Sequence, residues 1–120
     1  MKGKIFIDEN KVVNWIAENE TGDIEGTKLA MDVISELLEE HGPTSILVDL
    51  SKSHRPNALQ RQIVINNIQA NAHQIQKIAL FGETALMKAV AFFVINTAGY
   101  TNIKFFSSRN QAVQWLRGGE

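Results

Sequence analysis

At 120 residues the chain has room for one domain, since two of ordinary size need roughly 200 residues or more. With 44% hydrophobic and 21% charged residues it can bury a core, and a formal net charge of −1 argues against nucleic acid, which phosphate-binding proteins meet with a basic excess. It contains no cysteine, which removes disulfides, thiolate nucleophiles and most structural zinc arrangements.

Met1-Lys2-Gly3-Lys4 leads into an alternating segment, not the unbroken apolar core of a signal peptide. From Lys4 to Asp8, Ile5 and Ile7 share one face, and Val12 to Ala17 reads as a second strand. The short link Asp8-Glu9-Asn10-Lys11 makes these an antiparallel hairpin. Glu18 to Gly22 is polar and reads as a loop. Leu29, Ala30, Val33, Ile34, Leu37 and Leu38 then recur at helical spacing, with Glu36, Glu39 and Glu40 on the opposite face. Gly42-Pro43 stops that helix, and Ile46 to Leu50 has the short apolar run of a strand buried on both faces. Pro56 opens a second helix that runs to about His73. Lys77 to Phe81 is a further buried strand, and Gly82-Glu83-Thr84 turns into a third helix ending near Gly99. Its apolar stretch from Ala85 to Ile95 is interrupted by Lys88 and falls short of the about 20 residues that span a bilayer. Asn102 to Phe106 is the last strand. Ser108 and Gln111 form a capping-box pattern before a helix whose inner side carries Ala112, Val113, Trp115 and Leu116.

Strands and helices alternate from Gly26 onward, which implies parallel pairing with right-handed crossovers. The expected fold is α/β: one domain over residues 1–120, with a mixed, mostly parallel five-stranded sheet, an N-terminal hairpin and about four helices. Without a membrane span or leader, the expected location is the cytoplasm.

The hairpin, the first helix and then Ile-Leu-Val-Asp-Leu-Ser at 46–51 resemble the STAS-like fold, named for sulfate transporters and anti-sigma-factor antagonists. The second half is similar to the SpoIIAA-like branch: Lys77-Ile-Ala-Leu-Phe-Gly82, Asn102-Ile-Lys-Phe-Phe106, and the closing Ala112-Val-Gln-Trp-Leu116 helix. That resemblance implies a non-enzymatic module that binds proteins and, in some relatives, nucleotides or apolar ligands. Phospho-regulated antagonists of this kind carry Asp-Ser-Ser-Gly at the helix after the third strand, and a serine there is phosphorylated. The corresponding residues here are Asn57-Ala58-Leu59-Gln60, so the phosphorylatable serine is missing.

Two loops are candidate ligand sites, because open α/β sheets bind at the carboxyl ends of their strands. In the first, His54 and Arg55 can hold an anion while Ser51, Ser53 and Asn57 donate hydrogen bonds. The plainer reading makes Ser53 or Asn57 a helix cap and leaves the charges solvated. In the second, Gly82, Glu83 and Thr84 can close the same pocket or simply form a tight turn; the glycine spacing of a phosphate loop is absent. The third helix is apolar on nearly every side, so Phe92 and Phe93 are candidates for a partner surface. On the second helix, Leu59, Ile63 and Ala70 form the stripe expected on the sheet. Val64 and Ile68 are left toward solvent and join the partner surface. His41, His54 and His73 are far apart and form no metal cluster, and no cofactor is implied.

The expected function is therefore regulatory binding without a reaction. The partner is a protein or a second copy of the chain, and the ligand a small apolar or anionic molecule; neither nucleic acid nor membrane insertion is expected. One competing reading is a carrier or sensor of an apolar small molecule along the third helix. Another is a receiver-like phosphoacceptor, with Lys4-Ile-Phe-Ile-Asp-Glu9 as its acidic strand and Asp49 as acceptor. A third, an unusual hydrolase or transferase built on Ser53, His54 and Glu83, requires a close Ser–His contact.

Overall fold

The computed structural model describes residues 4–118, so the reading of Met1-Lys2-Gly3 and the outermost ends of the 1–120 domain lie outside it. Strands β1 (Lys4–Ile7) and β2 (Val13–Ile16) pair antiparallel. Asp8 builds the turn between them. Its carboxylate accepts from the amides of Asn10 and Val12 at 2.8 and 3.1 Å and from Asn14 Nδ2 at 2.9 Å. Lys11 takes the left-handed conformation, at φ 64°, that this tight return needs.

After the hairpin come α1 (Ile24–His41), β3 (Thr44–Asp49), α2 (Ala58–Ala70), a 3₁₀ turn (Ala72–Gln74) and β4 (Ile75–Phe81). They are followed by α3 (Ala85–Ala98), β5 (Ile103–Phe106) and α4 (Arg109–Leu116). The sheet order is β1-β2-β3-β4-β5, and every pair after the hairpin is parallel. The strand period of two splits the core into two layers. Ile46, Val48, Ile78 and Leu80 face α1, α2 and α3, whereas Leu47, Ala79 and Phe81 face Ala112 and Trp115 of α4. This is the expected mixed α/β sheet with its hairpin and four helices. The receiver reading falls here: β1 is an edge strand returning antiparallel into β2, where a receiver needs a helix after its first strand.

Several local expectations are corrected. The second helix begins at Ala58, with Asn57 as its cap and Pro56 outside it, and it ends at Ala70, short of His73. The full capping box is also here: the Gln60 amide donates to Asn57 Oδ1 and the Asn57 amide to Gln60 Oε1, both at 2.9 Å. At the fourth helix Ser108 does accept from the Gln111 amide, but the Gln111 side chain takes Ser107 Oγ instead of reaching back. Leu29 of α1 faces outward, half exposed; the inner face runs through Thr27, Ala30, Met31, Ile34 and Leu38.

The rotation of α2 is the largest correction. Ile68 is 7% exposed and Val64 packs against the core, while Leu59 is 54% exposed and Ala70 lies outside. Ile68 and Val64 are therefore core residues and not a partner surface. The inward face of α2 carries Gln60, Ile65 and Ile68, with Ile63, as expected, and Val64 packed partly against the core; Asn67 and the C-cap Asn71 are turned toward α1. Asn67 Nδ2 and Asn71 Nδ2 donate to Ser35 Oγ of α1 at 2.9 and 3.1 Å, which fixes the helix orientation.

Candidate ligand-binding cavity

Beneath α1, α2 and α3 the sheet does not close completely. A cavity of about 110 Å³ remains, walled by Ile46 and Val48 of β3, Ile78 and Leu80 of β4, Met31 and Ile34 of α1, and Val90, Ala91 and Val94 of α3. Small residues on α3 hold it open, because Ala91 leaves a methyl where a larger side chain would reach the sheet. The wall is mainly apolar, as small-molecule sites mostly are, with polar side chains set into it: Trp15, Asn19, Thr27, Ser53, His54, Gln60, Arg61 and Asn67.

Gln60 bridges three segments beside the cavity. It is 3% exposed, and its Oε1 accepts from the Gly22 amide at 2.7 Å as well as from Asn57. Its Nε2 donates to Glu20 O at 3.0 Å and to Thr27 Oγ1 at 3.1 Å. One side chain thus ties the β2–α1 loop, the start of α1 and the start of α2 together. Arg61, next along, sends Nη1 to Pro56 O at 3.0 Å, and its guanidinium carbon lies 4.8 Å from the centre of the Phe93 ring. Asn19 Nδ2 donates to Asp23 Oδ2 at 3.1 Å, and Asp23 caps α1 by accepting from the Gly26 amide at 3.0 Å. Three polar atoms of these wall residues are shut off from solvent without a hydrogen-bond partner among the described residues: Trp15 Nε1, Asn19 Oδ1 and Arg61 Nε.

The residues singled out from the sequence divide among three places. Ser53 and His54 line the cavity, beside Pro56. Arg55 faces a side pocket of about 50 Å³ that Ser53, His54 and Thr84 share. Gly82, Glu83 and Thr84 border a separate open groove of about 610 Å³ against Phe92, Phe105 and Ser107. The two loops therefore meet only at the side pocket. Ser51 is turned to Asp49, donating through its amide and hydroxyl at 2.8 and 2.6 Å, and Asn57 is occupied as the helix cap. Gly82 has a packing reason: a Cβ there would lie 2.7 Å from Met87 Sδ. Ser53 Oγ donates to the His54 carbonyl at 3.0 Å, so the Ser–His contact that nucleophilic chemistry requires is not made. Phe92 and Phe93 are 45% and 47% exposed, with Leu86 beside them at 52%. Among the described residues there is no cluster of three metal-ligating side chains, and no helix is long and apolar enough to cross a membrane.

Sequence reasoning passed over Trp15, Asn19, Gln60 and Arg61. The available signal was polar: Gln60, Asn67 and Asn71 recur at helical spacing, and an apolar count does not register them.

A parallel sheet entered through an antiparallel hairpin, with three helices on one face and one on the other, defines an α/β domain of SpoIIAA-like fold. The SpoIIAA-like family model matches residues 13–117, and the chain belongs to that family. The fold is similar to that of the anti-sigma factor antagonist SpoIIAA in its unphosphorylated form, at 12% identity and a TM-score of 0.71, covering 97% of this chain and 96% of that one. A putative anti-sigma factor antagonist from Thermotoga maritima matches at 14% identity and a TM-score of 0.70, over 96% and 94% of the two chains. An uncharacterised protein with a SpoIIAA-like fold from Shewanella loihica matches at 13% identity and a TM-score of 0.65, over 95% and 91%. No curated protein matches the sequence.

Proposed function

We propose that this protein is a non-catalytic regulatory module that binds a small, largely apolar molecule beneath α3 and meets a protein partner through the outer face of the same helix. The observation that carries this reading is the cavity, whose wall is mainly apolar, with polar side chains set into it from the β2–α1 loop, α1, the β3–α2 loop and α2. Folded interiors are normally packed without such voids, so a gap bordered by buried isoleucine, valine and leucine is a feature with a use. The partner half rests on Leu86, Phe92 and Phe93, three large apolar side chains about half exposed on one helix. The structural relatives named as anti-sigma factor antagonists are proteins that act on other proteins, which agrees with that half. The start of α2 carries Asn57-Ala58-Leu59-Gln60 and no serine, so the switch proposed here is a bound ligand in place of a phosphate.

Native mass spectrometry of freshly purified protein tests the reading. A retained small molecule, or one-to-one uptake of an added apolar probe, is expected for the wild type. Ala91→Leu, which fills the space, is expected to abolish both. Equal uptake by the two proteins would remove the cavity from the account.

A further inference from the structure

Charge is unevenly divided along the chain. Eleven of the thirteen Asp and Glu precede Ser51, whereas eight of the twelve Lys and Arg follow it. The fold keeps the two groups apart. α1, with Glu25, Asp32, Glu36, Glu39 and Glu40 exposed, packs on α2, and α2 packs on α3 at the other end of that layer, beside the edge strand β5. Of the side chains that α3 shows to solvent, Lys88 alone is charged, where a solvated helix carries a polar face. At about 100° of turn per residue, Ala85 and Ala89 point outward between two ridges. Leu86 and Phe93 form the ridge on the α2 side, and Phe92, edge-on to Phe105 of β5 at 6.1 Å, forms the other. Each ridge carries a cation. The Arg61 guanidinium lies 4.8 Å from the centre of the Phe93 ring, and Lys88 Nζ lies 5.5 Å from that of Phe92. Arg55 shares the side pocket with Leu86. Among the described residues none of these three cations forms an ion pair, and Glu83 is the one acid in the sequence between Ser51 and Gly119.

We propose that this furrow receives an amphipathic helix of a partner protein, apolar along one stripe and acidic on both flanks. This rests on the protein-partner half of the reading above and adds the partner's chemistry. Ala85 and Ala89 give an approaching helix a close floor, and Leu86, Phe92 and Phe93 supply apolar contact. Carboxylates on its two flanks meet Arg61 and Arg55 on one side and Lys88 on the other. The composition agrees, since aromatic side chains and arginine recur among the anchors of protein interfaces. A second copy of this face fits worse, because a two-fold contact sets the same cations against each other. A lipid surface also fits worse. The cations lie over the ring faces, so sinking the rings into acyl chains draws charge in with them. An acidic protein segment neutralises those charges where they stand.

The test is fluorescence anisotropy of two labelled helical peptides that share a leucine stripe and carry either Glu or Lys on both flanks. The full-length wild type is expected to bind the Glu peptide about tenfold more tightly than the Lys peptide, with the difference shrinking as salt is added. Arg55→Glu combined with Lys88→Glu changes only exposed side chains and is expected to invert that order. Leu86→Ser combined with Phe92→Ser is expected to lose both peptides. If the wild type binds the two peptides equally and the apolar double variant binds neither, the acidic class is overturned and the partner surface stands. If the wild type binds neither peptide, or the apolar double variant binds both undiminished, both readings are overturned. In that case phosphatidylcholine–phosphatidylglycerol vesicles that shift the Phe92 and Phe93 ring resonances would assign the face to a lipid surface. Ring shifts that track protein concentration alone would give it to a second copy and overturn the acidic partner.

Discussion

Ala91→Leu gives a decisive sign. Ala91 is 1% exposed on the inner face of α3 and borders the cavity. At about 24 cal/mol per Å³ of void, a cavity of about 110 Å³ corresponds to roughly 2.6 kcal/mol of stability forgone. Leucine adds three carbons, and at about 0.8 kcal/mol per buried carbon their transfer from water is worth about 2.4 kcal/mol. The two routes agree. Imperfect fit will subtract some of this, because added carbons force small side-chain shifts, so a net gain of about 1–2 kcal/mol is expected. In urea, with a slope of about 1.5 kcal/mol per molar, the unfolding midpoint should rise by roughly 1 M at unchanged slope. Were the space already filled by packing, the same substitution would overpack the core and cost about 1–3 kcal/mol. A fall in the midpoint would therefore refute the reasoning at its root.

Other consequences follow from single side chains. Gln60→Leu removes four hydrogen bonds, to Gly22, Asn57, Glu20 and Thr27, and should cost about 3 kcal/mol in urea unfolding. Asn57→Ala loses only its cap and should cost about 1 kcal/mol; equal losses would mean that the loop ties contribute nothing. Leu86→Ser combined with Phe92→Ser should keep stability within about 1 kcal/mol, since both side chains are about half exposed. If a second copy covers this face, the pair also removes any concentration-dependent rise in light-scattering mass; a rise that persists places that contact elsewhere. Tyr100 donates its hydroxyl to Ile75 O, and burial raises its pKa above the usual 10.0, an effect partly offset by a hydrogen bond with Asn102. The native state therefore holds the phenol proton more tightly than the unfolded chain. Its contribution is complete below pH 10 and declines as pH rises through the folded value. Stability measured across that alkaline range should fall less in Tyr100→Phe than in the wild type.

Sheet and helix order were legible because the strands differ sharply in pattern from the helices. Ile46 to Leu50 and Lys77 to Phe81 are apolar on both faces, which only a strand between two helical layers can use. The hairpin was legible from Asp8 to Lys11, where the turn residues do the bonding themselves. The orientation of α2 was not, for a physical reason. Periodicity analysis assumes that the buried stripe is apolar, but here Gln60 and Asn71 are buried and Asn67 partly so, because Ser35, Thr27 and the Gly22 amide meet them. Polar residues with partners bury without penalty, and the partners lie more than 30 positions away in sequence. The loop at Ser53 and His54 was found by its place at the end of a strand. Trp15 and Arg61 are 46 positions apart in sequence, and only the fold brings both to the wall of one cavity.

The polar stripe and the cavity belong to one design. A helix held by apolar contacts alone would slide until the void closed, since dispersion and hydration both favour collapse. Hydrogen bonds are directional and do not tolerate that slide: moving α2 toward the sheet would break the contacts of Gln60 with Gly22 and Thr27 and of Asn67 with Ser35. α1 and α2 are thus pinned at a fixed separation, while α3 meets the sheet through Ala91, Val94 and Ala98. A ligand entering this frame stabilises the protein by RT ln(1 + [L]/Kd), about 2.7 kcal/mol at a hundredfold excess over Kd, which is close to what the void takes away. On the proposed reading, α3 would carry the signal, because it lines the cavity with Val90, Ala91 and Val94 and presents Leu86, Phe92 and Phe93 outward.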